Sequence, residues 1–225
     1  MKTFCDFDGT AAANDVGNLL FRTFADEKKC HEIVSRWKNG LISSKECYLE
    51  ECKLARVTER ELRHFSDTQE LDPSFRKFAT FCCEHDIEIE IVSDGFDFYV
   101  ERILKNHGLD SLDARCNRLV FENGGGIKPE FPFHEHSCGR CANCKGYHVR
   151  LAREHHDTVI YIGDGLSDRC GAEAADVVFA KKDRDLLKYC RQKDIPCIEY
   201  RDFGDMLTWF TNKCRYLELT KVIAI

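Results

Sequence analysis

Two aspartates near the start of the chain have a spacing that can support metal-dependent chemistry. Asp6 and Asp8 stand two residues apart in the segment Asp-Phe-Asp-Gly-Thr, and Asp164 stands in a later segment that begins Gly-Asp-Gly. Residues two apart point to the same side of an extended chain, so Asp6 and Asp8 can share one cation. If Asp164 reaches the same point, the three carboxylates need a hard cation between them, and oxygen ligands suit Mg²⁺. The sequence therefore predicts a magnesium site at Asp6, Asp8 and Asp164.

A serine and a lysine supply the chemical complement of this acidic cluster. Ser93 stands before Asp94 and Gly95 at the end of an apolar run, and Lys145 stands near the start of a predicted helix. A hydroxyl group and a positive charge can bind an anionic group opposite a metal ion. Taken singly, these residues are explained as a turn, a helix cap and a surface lysine. Taken together with the acidic trio, they describe a site for phosphoryl transfer.

A cysteine-rich segment precedes this lysine. Cys138, Cys141 and Cys144 have the spacing Cys-x-x-Cys-x-x-Cys, and His134 and His136 stand just upstream. Two thiolates at this spacing can reach one tetrahedral ion at ~2.3 Å. One hypothesis is therefore a structural zinc site formed by the three cysteines and a histidine, for which we choose His136. Reduced thiols, or one disulfide formed during handling, are the alternatives.

Short strands that alternate with helices can bring these residues together. Strands are predicted at 2–7, 87–93, 158–162, 177–180 and 196–200, and helices at 96–106, 183–193 and 203–214. This alternation is typical of a parallel sheet with helices on both faces, in which ligands bind at the carboxyl ends of the strands. Three of these strands end in the aspartate-containing segments. The stretch 113–130, with three consecutive glycines between two apolar segments, predicts a hairpin at the edge of the sheet.

The stretch from residue 14 to about residue 66 contains no convincing strand. Apolar residues recur there at helical spacing, and capping boxes at Ser43-x-x-Glu46 and Thr58-x-x-Glu61 begin two further helices. We therefore predict a small all-helical insert. Asp72, as an N-cap followed by proline, predicts the helix that returns the chain to the main body and runs through residue 83.

Four side chains of the insert are possible substrate contacts. Asp15 has two equally good explanations, a contact with substrate or a cap of the first insert helix. The preferred interpretation of Arg22 and Arg56 is a solvated surface, and that of Trp37 is an apolar core.

The composition is that of a globular domain. The chain has 225 residues, 43% of them hydrophobic, and 33 basic against 39 acidic side chains give a net charge of −6. This excludes collagen-like, disordered and membrane-spanning proteins, and the absence of a basic stripe argues against a nucleic-acid partner. The 14 cysteines are scattered, and most of them are predicted to be buried thiols. No apolar leader precedes the first aspartate, so a cytoplasmic location is expected.

The order of the motifs resembles that of the haloacid dehalogenase superfamily. Asp-x-Asp-Gly-Thr follows the first strand, a serine follows the second, and a lysine and a Gly-Asp-x-x-x-Asp segment come later. The resemblance covers nearly the whole chain. It implies an α/β fold with a Rossmann-like, doubly wound parallel sheet as the core, formed by residues 1–13 and 72–225. It also implies a small all-helical cap, residues 14–71, inserted after the first strand.

The resemblance also assigns roles. It implies that Asp6 is the nucleophile, that Asp8 is the general acid and base, and that Asp8 coordinates Mg²⁺ through its main-chain carbonyl. Residues implied to bind phosphate or to support the site are Ser93, Asp94, Gly95, Lys145, Thr10 and Asp168. Among these, Asp168 would orient the lysine or a metal-bound water.

The expected activity is Mg²⁺-dependent hydrolysis of a small phosphorylated metabolite, without a membrane or nucleic-acid partner. The position of the cap and the serine at residue 93 are similar to those of the phosphoserine phosphatase group. The segment from His136 to Lys145 is similar to methionine-salvage phosphatases that act on 2-hydroxy-3-keto-5-methylthiopentenyl-1-phosphate. The Cys-Lys pair, with Gly-Asp-Gly-x-x-Asp-x-Cys ending at Cys170, also resembles phosphoethanolamine/phosphocholine phosphatases.

The second motif has Ser-Asp-Gly in place of the usual Ser-Gly-Gly, and Ser167 replaces a common asparagine. A non-catalytic, metal-binding regulatory protein with this fold is the alternative.

Overall fold

One seven-stranded sheet organises the protein within residues 1–212, which are the residues that the computed structural model describes. The last two positions of the helix predicted at 203–214, and the end of the predicted core from residue 213 to residue 225, lie outside this range. The strand order is β4-β3-β2-β1-β5-β6-β7, and every neighbouring pair is parallel except the hairpin of β3 and β4. The strands are β1 (Lys2–Cys5), β2 (Glu88–Phe96), β3 (Ala114–Glu122), β4 (Gly126–Glu130), β5 (Val159–Gly163), β6 (Val177–Lys181) and β7 (Ile198–Tyr200).

Helices cover both faces of the sheet because apolar side chains alternate along the central strands. In β5, Val159 and Tyr161 belong to one core cluster, and Ile160 and Ile162 belong to the other. Adjacent residues of a strand point to opposite faces of the sheet, so a strand that is buried on both faces has a continuous run of apolar residues in its sequence. The helices outside the insert are α5 (Phe75–Glu84), α6 (Asp97–Asn106), α7 (Lys145–Arg153), α8 (Arg169–Ala174), α9 (Asp185–Gln192) and a helix at 203–212. The prediction of an α/β fold with a doubly wound sheet and an edge hairpin is confirmed.

Four helices leave the sheet after β1 and form the insert. They are α1 (Val16–Phe24), α2 (Glu27–Lys38), α3 (Ser44–Leu54) and α4 (Glu59–Asp67), and both predicted capping boxes are present. An antiparallel bridge between Ala12 and Leu71 joins the outgoing and returning segments. We call α1–α4 the cap helices, and the division of the chain at 13/14 and 71/72 stays a prediction.

The cap helices are joined to the core at both ends of α3. At its N-terminus, the main-chain N–H of Ser44 donates to the carbonyl of Arg140 at 2.9 Å. After its C-terminus, the N–H of Val57 donates to the carbonyl of Gly125, at the tip of the edge hairpin, at 2.8 Å. Backbone hydrogen bonds to two separate core segments therefore hold this helix in place.

Several predicted boundaries differ from the structure. Strand β1 ends at Cys5 and not at residue 7, because the wide turn begins at Phe7. Strand β7 begins at Ile198 and not at residue 196, and α9 begins at Asp185 and not at residue 183.

Strand β2 does not end at Ser93 but runs to Phe96, because its pairing with β3 shifts in register between Val92 and Phe96. Helix α5 begins at Phe75 and not at the predicted proline, because Asp72 accepts from the N–H of Ser74 in a local turn. Within residues 1–212, no helix combines the length and the apolar character that crossing a membrane requires.

Helix α8 approaches β5 so closely that Gly171 cannot carry a side chain. A Cβ atom there would lie 2.4 to 2.8 Å from three ring atoms of Tyr161, which is fully buried. We expect Gly171→Ala to lower the free energy of unfolding by about 1–3 kcal/mol, because the added carbon overpacks the core. Urea denaturation will measure the change. Gly165→Ala is the control, since its Cβ would meet only one atom, at 3.8 Å. Equal stability of the two variants would contradict the close approach.

Candidate active site

The carboxyl ends of β1, β2 and β5 meet at one edge of the sheet. Cys5 pairs with Ile91 of β2 and Ile162 of β5, so the residues that follow lie side by side. After β1 the chain makes one wide helical turn at Phe7–Ala11, in which Gly9 has a φ of +74°. A Cβ atom on Gly9 would lie 2.6 Å from Oδ2 of Asp164. The glycine therefore permits both the turn and the approach of Asp164.

Asp6 lies at the bottom of the site, 3% exposed. Its Oδ1 accepts a hydrogen bond from Nζ of Lys145 at 2.5 Å, and its Oδ2 accepts one from the Thr10 hydroxyl at 3.2 Å. The same hydroxyl lies 3.4 Å from Oδ1 of Asp164, so it joins the two carboxylates. Burial and the negative charge of Asp168 raise the pKa of Asp6, and the Lys145 ammonium opposes that rise.

Asp8 is held by neutral donors. Its Oδ1 accepts from the N–H of Gly17 at 3.0 Å, and its Oδ2 accepts from the Tyr99 hydroxyl at 2.7 Å and from the Ser93 hydroxyl at 3.4 Å. Removal from water raises the pKa of Asp8 to about 7, and the negative charge of Asp15 adds to the rise. This carboxyl group can therefore carry a proton near neutral pH, two residues from a carboxylate that is paired with a lysine.

Lys145 is the first residue of α7, and its side chain is 1% exposed. Nζ donates to Oδ1 of Asp168 at 2.6 Å and to the Ser167 hydroxyl at 3.1 Å, in addition to its bond with Asp6. Both carboxylate oxygens of Asp168 accept hydrogen bonds from protein groups, because the Tyr161 hydroxyl also donates to Oδ1 and the N–H of Asp164 donates to Oδ2. Two carboxylates therefore share the buried ammonium group and fix its position.

Asp94 and Ser93 organise the loop that leads to this lysine. The N–H of Asn143 donates to Oδ1 of Asp94 at 2.7 Å, and the Asn143 amide donates to the carbonyl of Ser93 at 2.9 Å. The carboxyl of Asp94 is therefore engaged by protein groups and supports the loop, whereas the Ser93 hydroxyl faces Asp8. Gly95 is needed for another reason, since a Cβ there would lie 1.8 Å from the Tyr99 hydroxyl oxygen.

The acidic residues fit a hard cation. Carboxylate oxygens of Asp6, Asp164 and Asp168 lie within 4.8 Å of one another. Burial, followed by the negative charge of Asp168, raises the pKa of Asp164 to about 7, and Arg184 is 3.9 Å from its Oδ2. Two buried carboxylates and a partly buried one, with a single buried ammonium group, leave uncompensated negative charge, which a divalent cation would balance. Because Asp168 is occupied, Asp6 and Asp164 are the side chains that remain for the ion.

A cavity of about 310 Å³ lies between this edge of the sheet and the cap helices. Asp6, Asp8 and Lys145 form its floor. Side chains of the cap helices on its opposite wall include Phe21, Trp37, Lys38, Tyr48 and Glu51. The interpretation of Trp37 as a core aromatic is wrong, because α2 presents it to the cavity.

Three other charged residues of the insert have local roles. Asp15 caps α1 by accepting from the N–H of Asn18 at 2.9 Å, and it also lines the cavity, so the cap is confirmed and the contact with substrate stays a prediction. Arg22 pairs with Glu27 at 2.7 Å, and Arg56 donates to the main-chain carbonyl of Ala55 at 2.7 Å. Neither arginine lines the cavity, in agreement with the interpretation from the sequence.

The fourth member of the cysteine cluster is not the predicted histidine. His136 stacks on Tyr147, with ring centroids 4.5 Å apart, and it does not join the cysteines. The thiol of Cys170, at the start of α8, lies with those of Cys138, Cys141 and Cys144 instead. The prediction failed because sequence spacing shows only neighbours along the chain, whereas the packing of α8 on α7 brings in a distant residue.

Sequence reasoning missed three residues of the site. Tyr99 orients Asp8, Asn143 supports the lysine loop, and Glu51 contributes a buried carboxyl to the cap wall. Tyr99 sits one helical turn after the second motif, which was a usable signal. Asn143 and Glu51 have no signal of their own, because a polar residue in a loop or in a half-exposed helix is ordinary.

Comparisons with known proteins agree with this geometry. A family model described as "Putative Phosphatase" matches residues 2–201. A 2-hydroxy-3-keto-5-methylthiopentenyl-1-phosphate phosphatase of Bacillus thuringiensis subsp. konkukian is 27% identical, over 92% of this chain and 94% of its own. A polyol phosphate phosphatase of Saccharomyces cerevisiae, PYP1, is also 27% identical, over 91% and 90%.

A solved structure of similar fold is a phosphoserine phosphatase in a phospho-aspartyl intermediate analogue form. Its TM-score is 0.71 at 21% identity, and the match covers 92% of this chain and 97% of that one. These findings do not favour the alternative of a non-catalytic regulatory protein. The chain belongs to the family described as "Putative Phosphatase" and is a phosphatase of the haloacid dehalogenase type.

Proposed function

We propose that this protein is a Mg²⁺-dependent phosphomonoesterase that hydrolyses a small metabolite through an aspartyl-phosphate intermediate. The observation that carries the proposal is the contrast between Asp6 and Asp8. Asp6 is paired with a buried lysine 2.5 Å away, whereas Asp8 is held by the Tyr99 hydroxyl and a backbone N–H. Two carboxyl groups whose surroundings favour different protonation states suit one nucleophile and one acid.

In the first half-reaction, a carboxylate oxygen of Asp6 attacks phosphorus and forms a new O–P bond. The bond from phosphorus to the leaving oxygen breaks, and Asp8 gives its proton to that oxygen. In the second half-reaction, Asp8 takes a proton from water, the water oxygen attacks phosphorus, and the bond to Asp6 breaks. The raised pKa of Asp8, about 7, supports its use as both acid and base.

The remaining residues bind and orient the phosphate. Lys145 provides a fixed positive charge beside Asp6, and its bond to Asp168 keeps it there as the phosphoryl oxygens arrive. The Ser93 hydroxyl and the backbone at Gly95 face the same space. Asp6, Asp164 and the main-chain carbonyl of Asp8 would hold Mg²⁺, which when bound neutralises phosphoryl charge.

The cavity supports a small substrate. Its volume of about 310 Å³ is at the lower end of the range for ligand pockets, and the cap helices cover the floor that holds Asp6. The two curated relatives named above act, by their names, on a phosphorylated hydroxyketone and on polyol phosphates. A sugar-ketone phosphate of methionine salvage and phosphoserine are therefore the first substrates to test. A cytoplasmic location stays a prediction.

Glu51 favours a second candidate, the phosphoethanolamine or phosphocholine phosphatases. Its side chain is 4% exposed and accepts a hydrogen bond from the Cys47 thiol at 3.6 Å, and burial raises its pKa to about 8. When protonated it can donate to a hydroxyl or a carbonyl, and when ionised it can bind an ammonium group. The rings of Trp37 and Tyr48 on the same wall can also contact a cation.

The release of inorganic phosphate from nitrophenyl phosphate, with and without Mg²⁺, tests the general proposal. We expect release with added Mg²⁺ and its loss when the metal is chelated. Turnover that is indifferent to thorough removal of divalent cations would contradict the role of the acidic cluster.

Asp6→Asn and Asp8→Asn should have different kinetic effects. Asp6→Asn should abolish turnover, because an amide does not attack phosphorus. Asp8→Asn should reduce turnover of alkyl phosphates by about 10²- to 10⁴-fold, and much less for nitrophenyl phosphate, whose leaving group needs no proton. Initial rates on both substrates will measure this, with Asp110→Asn, an exposed aspartate, as the control. Greater residual activity on nitrophenyl phosphate in Asp6→Asn than in Asp8→Asn would reverse the two roles.

Small phosphates should be hydrolysed better than a folded phosphoprotein, because the cap helices restrict access to Asp6. We expect kcat/KM for the preferred member of a panel of phosphoserine, phosphoethanolamine and the phosphorylated methylthio-ketone to exceed that for a phosphoprotein at least about tenfold. Comparable values would show that the cap does not select by size.

Glu51→Gln should separate the two substrate classes. Glutamine keeps a donor for a hydroxyl or carbonyl group but carries no negative charge. Above pH 8, where Glu51 is ionised, KM for phosphocholine should therefore rise about tenfold in the variant while that for a polyol phosphate changes little. In the wild type, KM for phosphocholine should fall as pH rises through about 8, because Glu51 ionises while the quaternary ammonium does not titrate. Glu50→Gln, a neighbour that pairs with Arg36 outside the cavity, is the control. Equal effects on both substrates would remove Glu51 from amine recognition.

A further inference from the structure

Four cysteine thiols lie together next to the start of α7, the helix that begins with Lys145. Cys138 and Cys141 Sγ atoms are 3.5 Å apart, those of Cys138 and Cys170 are 3.7 Å apart, and those of Cys141 and Cys170 are 3.9 Å apart. The Cys144 Sγ atom lies within 4.8 Å of the other three. None of the four is in a disulfide.

These distances match the edges of a metal-centred tetrahedron. Four sulfur atoms at ~2.3 Å from one ion are about 3.8 Å from each other. A disulfide would bring two sulfur atoms to about 2.05 Å and leave the other two without a common centre. Tetrahedral sites with four sulfur ligands hold zinc or iron, and a site with four protein ligands has no position for a substrate.

Two segments that are distant in sequence supply the ligands. Cys138, Cys141 and Cys144 come from the loop before α7, and Cys170 comes from α8. The two helices meet at Gly146, where a Cβ atom would lie 2.4 Å from the carbonyl oxygen of Cys170. The close contact of α7 with α8 therefore brings the fourth thiol to the loop.

We propose that Cys138, Cys141, Cys144 and Cys170 bind one zinc ion as a closed structural site. The ion would be separate from the Mg²⁺ expected at the acidic cluster, since its ligands are sulfur atoms and no carboxylate belongs to the group.

The site connects three parts of the proposed active site and its cap. Cys144 immediately precedes Lys145, and Cys170 stands two residues after Asp168, the carboxylate that shares this lysine. Between Cys138 and Cys144, the N–H of Ala142 donates to the hydroxyl of Ser44, at the start of α3, at 2.7 Å. Zinc would therefore fix the lysine, its carboxylate partner and one end of the cap helices relative to one another. An effect of zinc on turnover would rest on the proposed function, whereas the binding of zinc does not.

Elemental analysis of the full chain, purified without chelators, tests the site directly. We expect about one zinc per chain that survives dialysis against Mg²⁺. Replacement by Co²⁺ should give the visible d–d bands and the sulfur-to-metal charge-transfer band of a tetrahedral thiolate site. Any of three results would overturn the proposal: purified protein without tightly bound metal, protein that contains iron instead of zinc, or a disulfide among these four cysteines in mass spectrometry.

Three single variants test which residues are ligands. Cys170→Ser should lose zinc at least about tenfold more readily to a chelator, because a ligand is missing. His136→Ala and Cys83→Ser, an exposed cysteine on α5, should retain it. Retention by Cys170→Ser together with loss from His136→Ala would replace the structural ligand set by the one that sequence spacing predicts.

Activity gives a second readout that separates the two proposals. Slow removal of zinc from wild-type protein, with Mg²⁺ kept in excess, should raise KM for nitrophenyl phosphate and lower kcat, and added zinc should restore both. Zinc binding with no phosphatase activity would contradict the proposed function and leave the zinc site in place. Full activity after complete zinc removal would contradict the connection to Lys145.

Discussion

The ammonium group of Lys145 is buried between two carboxylates, and the rest of the site is arranged around this charge. A lysine that is 1% exposed is unfavourable unless its charge is compensated, and here Asp6 lies 2.5 Å away and Asp168 lies 2.6 Å away. Each carboxylate depends in turn on other groups. The Thr10 hydroxyl orients Asp6, whereas the Tyr161 hydroxyl and a backbone N–H occupy Asp168. Loss of Lys145 would leave both carboxylates without their shared positive charge, and loss of a hydroxyl or N–H partner would leave a carboxylate oxygen without its donor.

The sheet brings the members of this network together because its central strands are parallel. The three acidic segments lie at the carboxyl ends of the neighbouring strands β1, β2 and β5, so residues far apart along the chain become adjacent without long loops. The glycines are part of the same arrangement. Gly9 permits the approach of Asp164, Gly95 leaves room for the Tyr99 hydroxyl, and Gly163 lies where a Cβ atom would be 2.5 Å from the carboxyl carbon of Asp168. Close backbone approach is therefore a requirement for this site as much as charge is.

The fold and the floor of the site were predictable from the sequence because they rest on local patterns. Apolar runs that end in aspartate and glycine mark the strand ends, and capping boxes mark the helix starts. Features that depend on packing between distant segments were not predictable. Cys170 reaches the cysteine loop only through the contact of α7 with α8, and Trp37 and Glu51 reach the cavity only through the orientation of the cap helices. The end of β2 was misplaced because the register shift against β3 has no signal in either strand alone.

The backbone hydrogen bonds at the two ends of α3 also limit how substrate can enter. A wide swing of the insert would have to break the bond from Ser44 to Arg140 and the bond from Val57 to Gly125. Access to Asp6 then depends on movements of side chains and of the other cap helices around a helix that stays in place. A fixed α3 therefore sets one side of the entrance, so the cross-section of a molecule limits its entry before any polar group of the cavity recognises it.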